Sequence, residues 1–206
     1  MHGLTAGKYG LDSMASYLAG KGYECITFDF TGHKMGDSDG RLERVEQIVE
    51  NALTALENLL KATGAEKAIL LGHSMGGVAA LGAASARPSL AAGVITLCTG
   101  WNPERGFRGA LGQTMMHQRA DYVDGLPIES LLRELDRLTQ ALCPMPKLPI
   151  LCVSGRQDIL VSEEQVRQLA EHIGPSAETL SLDTTHLEAV EKARGAVVHW
   201  LEKKKL

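Results

Sequence analysis

The stretch Ile69-Leu70-Leu71-Gly72-His73-Ser74-Met75-Gly76-Gly77 constrains this chain more than any other. An apolar strand pattern runs into G-x-S-x-G and then into an Ala-rich helix pattern. That order predicts a tight strand-to-helix turn that lifts one serine hydroxyl clear of both elements. Glycine suits positions 72 and 76 because strand and helix crowd each other on both sides of the serine. The helix start also leaves backbone N–H groups without partners, ready to hold a developing negative charge. Ser74 is therefore the candidate nucleophile.

A second match, Gly36-Asp37-Ser38-Asp39-Gly40, lacks that context. Ser38 lies several residues past the nearest strand pattern, in a polar loop between two carboxylates. Neighbouring anions oppose an alkoxide-like nucleophile, so this stretch reads as a turn.

A serine hydroxyl needs a base, and the base needs an orienting carboxylate. In an open α/β sheet such groups lie just past the C-terminal ends of strands. Asp158 follows a strand pattern ending at Val153, and His186 follows one ending at Leu182. Asp183 and Glu104 are fallback acids. His73 is held inside the turn, His172 and His199 lie within helix patterns, and His117 has no strand end nearby.

Strand and helix patterns alternate along the chain, which favours a parallel α/β sheet. Strands are expected at Tyr23–Phe30, Lys67–Leu71, Gly93–Cys98, Leu148–Val153 and Thr179–Leu182. Helices are expected at 11–19, Leu42–Ala62 with Gly64 as its stop, from the serine turn to Arg87, Pro127–Leu142 with Pro127 in its first turn, and Leu187–Lys203. Ser162 and Gln165 form a capping box for a further helix ending near Gly174. The less regular section 99–147 interrupts this alternation, closed by Pro144 and Pro146. A lid over the active site is the functional reading and a long crossover the plain one.

With 206 residues, 44% of them hydrophobic, the chain suits one domain, 1–206. The net charge of −4 and the lack of a long basic tract argue against a nucleic-acid partner. No apolar run approaches a membrane span and no signal-peptide layout opens the chain, so a cytoplasmic protein is expected, with a homodimer as one option for its assembly. Cys25, Cys98, Cys143 and Cys152 have no metal-ligand spacing, and three fall in strand patterns, so buried reduced thiols are expected.

Taken together, the chain resembles the α/β-hydrolase superfamily. It is most similar to the small serine esterases, including the feruloyl and cinnamoyl esterase branch and the serine-aminopeptidase-like hydrolases. The resembling residues are His2-Gly3-Leu4-Thr5, Phe28-Asp29-Phe30-Thr31-Gly32-His33 with Gly36 to Gly40, the serine turn, Gly155 to Asp158, and His186. The chain order Ser74, Asp158, His186 is that of the superfamily. The resemblance implies that the backbone N–H groups of Leu4 and Met75 form an oxyanion hole. It implies hydrolysis of a small-molecule carboxylic ester through an acyl-enzyme, with no metal or organic cofactor. A thioesterase, amidase or C–C hydrolase would use the same triad. A non-turnover binding protein and an inactive fragment on this fold are the other readings. Candidate pocket residues are His73, Trp101, Met115 and Leu160, with Phe107 and Tyr122 as further aromatics. They suit short aliphatic or hydroxycinnamoyl groups, or else form the core of the lid.

Two departures from the family pattern matter. Lys34 and Met35 lengthen the loop between His33 and Gly36. More consequentially, the strand that normally precedes the His-Gly turn is absent. In the family it lies between the strands expected here at Tyr23–Phe30 and Lys67–Leu71. The sheet is expected to close up by pairing those two directly, giving a shortened α/β-hydrolase fold of about five strands. A partner chain filling the gap and a truncated chain are the alternatives. Closing up would shift Leu4 relative to Ser74.

Overall fold

Apolar runs separated by helices form one parallel sheet in the computed structural model, which describes residues 1–145 and 147–206. Pro146 lies outside the described residues. Strands β1 (Ala68–His73), β2 (Ala91–Leu97), β3 (Ile150–Gly155) and β4 (Ala177–Leu182) lie side by side in chain order. Between them run α3 (Met75–Ala86), then α4 (Ala110–Arg119) and α5 (Ile128–Gln140), then α6 (Glu163–Ile173). Helices α1 (Asp12–Ala19) and α2 (Glu46–Thr63) precede the sheet; α7 (Ala189–Lys192) and α8 (Arg194–Lys204) follow it.

A parallel sheet covered on both faces needs strands that are apolar on both sides. All six residues of β3 are buried. Ile150 and Cys152 join the core formed with α2, α3, α5 and α6, whereas Leu151 and Val153 join Met14 of α1 and Val197 and Leu201 of α8. Helix α3 lies within the larger core, buried from Met75 through Ala84. Its small side chains let it sit close to the sheet it starts from. No helix among the described residues is long and apolar enough to cross a membrane.

The parallel sheet is shortened, as expected, and among the described residues it has four strands where about five were expected. Tyr23–Phe30 runs without strand pairing, and β1 pairs with β2 on one side only. The sheet has not closed up. An open cleft of about 580 Å³ separates 23–28 from β1, walled also by Leu11 and Met14 on one side of the sheet and by Leu56 and Leu60 of α2. The first residues of the chain hold the two edges apart at the top of this cleft. The Met1 backbone nitrogen donates to Leu71 O (2.9 Å) and Met1 O accepts from His73 N (3.0 Å). His2 Nε2 accepts from Phe30 N (3.0 Å) on the opposite side. A ladder needs strands about 4.8 Å apart, and this segment occupies that space.

Other boundaries differ for local reasons. Helix α2 begins at Glu46 instead of Leu42 because Leu42 N donates to Asp124 O (2.8 Å) and Leu42 forms a bridge with Gly125. Gly64, at φ 73°, ends it in the left-handed conformation that glycine favours. Pro127 is the residue before α5 rather than its first turn. The final helix breaks in two around Ala193. The Ser162–Gln165 capping box is present with both of its hydrogen bonds. Cys98 and Cys152 are buried, but Cys25 and Cys143 are exposed free thiols, Cys25 because its segment never enters the sheet.

Candidate active site

The turn from β1 into α3 holds Ser74 at φ 52°, ψ −119°, a strained conformation for a residue with a side chain. The glycines around it have no room for more. A Cβ on Gly72 would run into the backbone of Gly76, one on Gly76 into Met1 O, and one on Gly77 into Thr99 Oγ1. Thr99 Oγ1 donates to Ser74 O (2.9 Å), bracing the turn from the end of β2. Among the described residues Ser74 Oγ has no hydrogen-bond partner.

Past the ends of β3 and β4, Asp158 and His186 meet. His186 Nδ1 donates to Asp158 Oδ2 at 2.7 Å, which fixes the tautomer and leaves Nε2 free of that contact. Asp158 Oδ1 accepts from Leu160 N (2.8 Å) and Val161 N (2.9 Å), and its side chain is fully shielded from solvent. Burial pushes the Asp158 carboxyl up, but the bond from His186 and the two backbone donors outweigh it and hold the group below its ordinary value. Asp158 thus stays an anion at neutral pH. Cys98, at φ 50°, lies alongside; burial and then the Asp158 charge push its thiol up, so it stays protonated at neutral pH.

Cys98, Asp158 and His186 offer ligand-type atoms within 4.8 Å of one another. At 2.7 Å the contact between Asp158 and His186 is a charge-assisted hydrogen bond whose proton sits on Nδ1. An ion here would have to displace that proton and the one on Cys98. The donor set reads as a hydrogen-bonded relay rather than as a preformed metal site.

The family resemblance implies Leu4 and Met75 as backbone donors, and both line the same small cavity as Ser74. Neither N–H has a hydrogen-bond partner among the described residues. For Met75 this follows from its place as the first residue of α3. The turn carrying Leu4 is tethered despite the open cleft. Phe30 N–H can only donate, so His2 Nε2 must accept and His2 Nδ1 carries the proton that goes to Gly3 O (2.9 Å). Burial pushes the His2 imidazole down to about 4, so it is neutral at pH 7. The first residues of the turn thus bond to both neighbours, and the displacement of Leu4 expected from a closed sheet does not arise.

None of His73, Trp101, Met115 and Leu160 lines this cavity. His73 lies behind the site: its Nε2 donates to His186 O (2.8 Å), and burial pushes the imidazole down to about 3. Trp101 packs against His172 with ring centres 4.4 Å apart and planes tilted by 46°, and its carbonyl accepts from Gln165 Nε2 (3.0 Å). Leu160 is buried beside Asp158, and Met115 packs against the main core. Phe107 does line the cavity, whereas Tyr122 is partly exposed elsewhere. The fallback acids are occupied away from the pair: Asp183 accepts from Gln157 Nε2 (2.9 Å) and Glu104 pairs with Arg108 (3.2 Å). Ser38 Oγ donates to Phe30 O (2.8 Å), a loop-shaping role.

Sequence reasoning missed His2 and Thr99 as supports of the site, and Val78, Leu132 and Leu135 as cavity walls. The apolar period of α5 was visible, but which of its residues face the serine depends on how α5 docks against α3.

A family profile described as the alpha/beta hydrolase fold matches residues 1–116. Among solved structures, the chain is similar to a monoacylglycerol lipase of Paleococcus ferrophilus, with a TM-score of 0.70 and 20% identity over 99% of this chain and 93% of that one. It is similar to a thermophilic esterase of Thermogutta terrifontis, with a TM-score of 0.69 and 20% identity over 98% and 88%. An esterase of Pyrococcus furiosus gives a TM-score of 0.74 and 21% identity over 98% and 79%. Identities this low show the shared fold. Comparison with curated proteins gives no match.

Proposed function

Because this chain belongs to the alpha/beta hydrolase fold family, we propose that it is a serine hydrolase that cleaves carboxylic esters. The observation that carries the reading is the 2.7 Å contact of His186 Nδ1 with the buried Asp158 carboxylate, in a fold that holds Ser74 on a strained turn. His186 Nε2 takes the Ser74 proton as Oγ attacks the ester carbonyl. Asp158 keeps the imidazole in the tautomer that can do so and stabilises the imidazolium that forms. The Leu4 and Met75 N–H groups receive the oxyanion; losing such a donor typically costs on the order of 10²–10³ in rate. The alcohol leaves with the proton from His186. Water activated by the same imidazole then releases the acid. Ser74 Oγ and His186 Nε2 share no hydrogen bond in this structure; the reading requires that they come within hydrogen-bond reach when substrate binds, as such catalytic contacts often do.

The section 99–147 serves as a lid over the acyl side in this reading, since Phe107, Leu132 and Leu135 from it line the cavity at Ser74. The esterase and lipase names of the structural neighbours are consistent with ester chemistry. The test is labelling with a fluorophosphonate probe, mapped by mass spectrometry, beside hydrolysis of p-nitrophenyl acetate. An adduct on Ser74 and loss of turnover in Ser74→Ala, on the order of 10⁶-fold, are expected. Turnover undiminished in that variant would defeat the assignment.

A further inference from the structure

We propose that the cleft between β1 and residues 23–28 receives one extended apolar strand of a separate polypeptide, which pairs with both walls at once. The cleft shares no lining residue with the cavity at Ser74, so its role does not depend on the hydrolase reading.

Both walls present unpaired main chain. Met1 N donates to Leu71 O and Met1 O accepts from His73 N, so Met1 sits opposite Gly72 as one rung of a parallel ladder. Below that rung, alternation turns Leu71 N and both backbone groups of Ile69 away from β2 and into the cleft, where no described residue meets them. On the opposite wall Phe30 N donates to His2 Nε2. Below it, no N–H or C=O of residues 24–29 has a partner among the described residues. Met1 and His2 thus span the two walls with a single chain, and the rungs beneath them are open on both sides. A ligand without main-chain groups, such as an acyl chain, would leave both rows unpaired. An inserted strand meets both.

The remaining walls define the guest. Leu11 and Met14 close one face of the slot, and Leu56 and Leu60 close the other. Side chains of a strand alternate between faces, so every guest side chain meets apolar surface. The charged side chains that line the cleft, Glu24 and Lys67, lie at the end away from Met1. The guest is therefore an apolar run of about five or six residues, an ordinary strand length, without proline. A second copy of this chain has no such run to lend. Among the described residues its extended apolar segment outside the sheet is 23–28, already a wall of its own cleft.

The experiment selects guests from a phage-displayed library of random eight-residue peptides on the purified 206-residue protein. The selected sequence is then measured as a synthetic peptide. It should carry a continuous run of Val, Ile, Leu or Phe. N-methylating either alternate set of its residues should weaken Kd about tenfold or more, since one set donates to β1 and the other to 23–28. Bound peptide should slow exchange of the Ile69 and Leu71 amides about tenfold and leave Leu70 unchanged. A peptide weakened by one methylated set only lies along a single edge, which overturns insertion. Binding indifferent to both sets and displaced by dodecanoate makes the cleft an acyl-chain site and overturns the proposal. A peptide that leaves Ile69 and Leu71 exchange unchanged overturns it, as does a selection that enriches no apolar run. A dimer in light scattering, with Ile69 and Leu71 protected before any peptide is added, shows a second copy covering the cleft and overturns it as well.

Discussion

His73 holds the loop that carries His186: its Nε2 donates to the His186 carbonyl at 2.8 Å, and the two rings lie 4.8 Å apart. The residue beside the proposed nucleophile in sequence thus sets the height of the proposed base, which arrives from the far end of the chain. Its own protonation is suppressed by burial, so it acts as a neutral brace.

Removing that brace should misplace His186. His73→Ala leaves a buried carbonyl without its donor, a penalty of about 1–3 kcal/mol in stability. A shift of the imidazole by about 1 Å can lower kcat on the order of 10²-fold. KM should change little. His73→Gln, which keeps an N–H donor, should recover part of kcat. Wild-type kcat in His73→Ala would show that the loop needs no such support.

Asp158→Asn should keep the shape of the site but destroy its electrostatics. The amide can accept or donate, and it no longer selects the His186 tautomer. The equivalent change in serine proteases lowers kcat by about 10⁴, and a comparable fall is expected here. The readout is the pH profile of kcat/KM as well as its size. A loss under tenfold with an unchanged profile would remove Asp158 from its orienting role.

Stability should fall with acid from pH 6.5 downward. His2 and His73 have folded-state values of about 4 and about 3, below the unfolded value of 6.5. Above pH 6.5 both groups are neutral in either state. Below it the unfolded chain takes up protons that the folded chain refuses, so unfolding becomes easier. The slope is at most about 1.4 kcal/mol per pH unit for each histidine. It flattens for His2 below pH 4 and for His73 below pH 3. Urea midpoints measured from pH 7 to pH 4 check this. A midpoint constant between pH 6.5 and 4.5 would contradict neutral burial of both rings.

The open cleft makes a prediction at single amides. Side-to-side alternation along β1 turns the backbone groups of Ile69 and Leu71 to the cleft, since Leu71 O accepts from Met1, and turns those of Leu70 and Gly72 to β2. The Ile69 and Leu71 amides should exchange with deuterium at least about tenfold faster than Leu70 and Gly72. Equal protection of all four, read residue by residue by NMR, would mean that the β1 edge is covered in solution.

Local sequence determined the serine turn, the glycines at its flanks, the apolar run of β3 and the Ser162–Gln165 cap. It also determined the chain order Ser74, Asp158, His186 in which the proposed nucleophile, acid and base appear. These are properties of neighbouring residues: steric crowding within a few positions, and periodicity that tells which side of an element is apolar. Tertiary structure alone decided the rest. Tyr23–Phe30 has the composition of a strand, but a strand exists only when a second backbone lies at ladder distance, and Met1 and His2 keep β1 away from it. The cavity walls were equally hidden. Ile128, Leu131, Leu135, Leu138 and Leu142 read as one apolar stripe, and only the docking of α5 on α3 placed Leu135, together with Leu132 outside that stripe, in the wall of the cavity at Ser74.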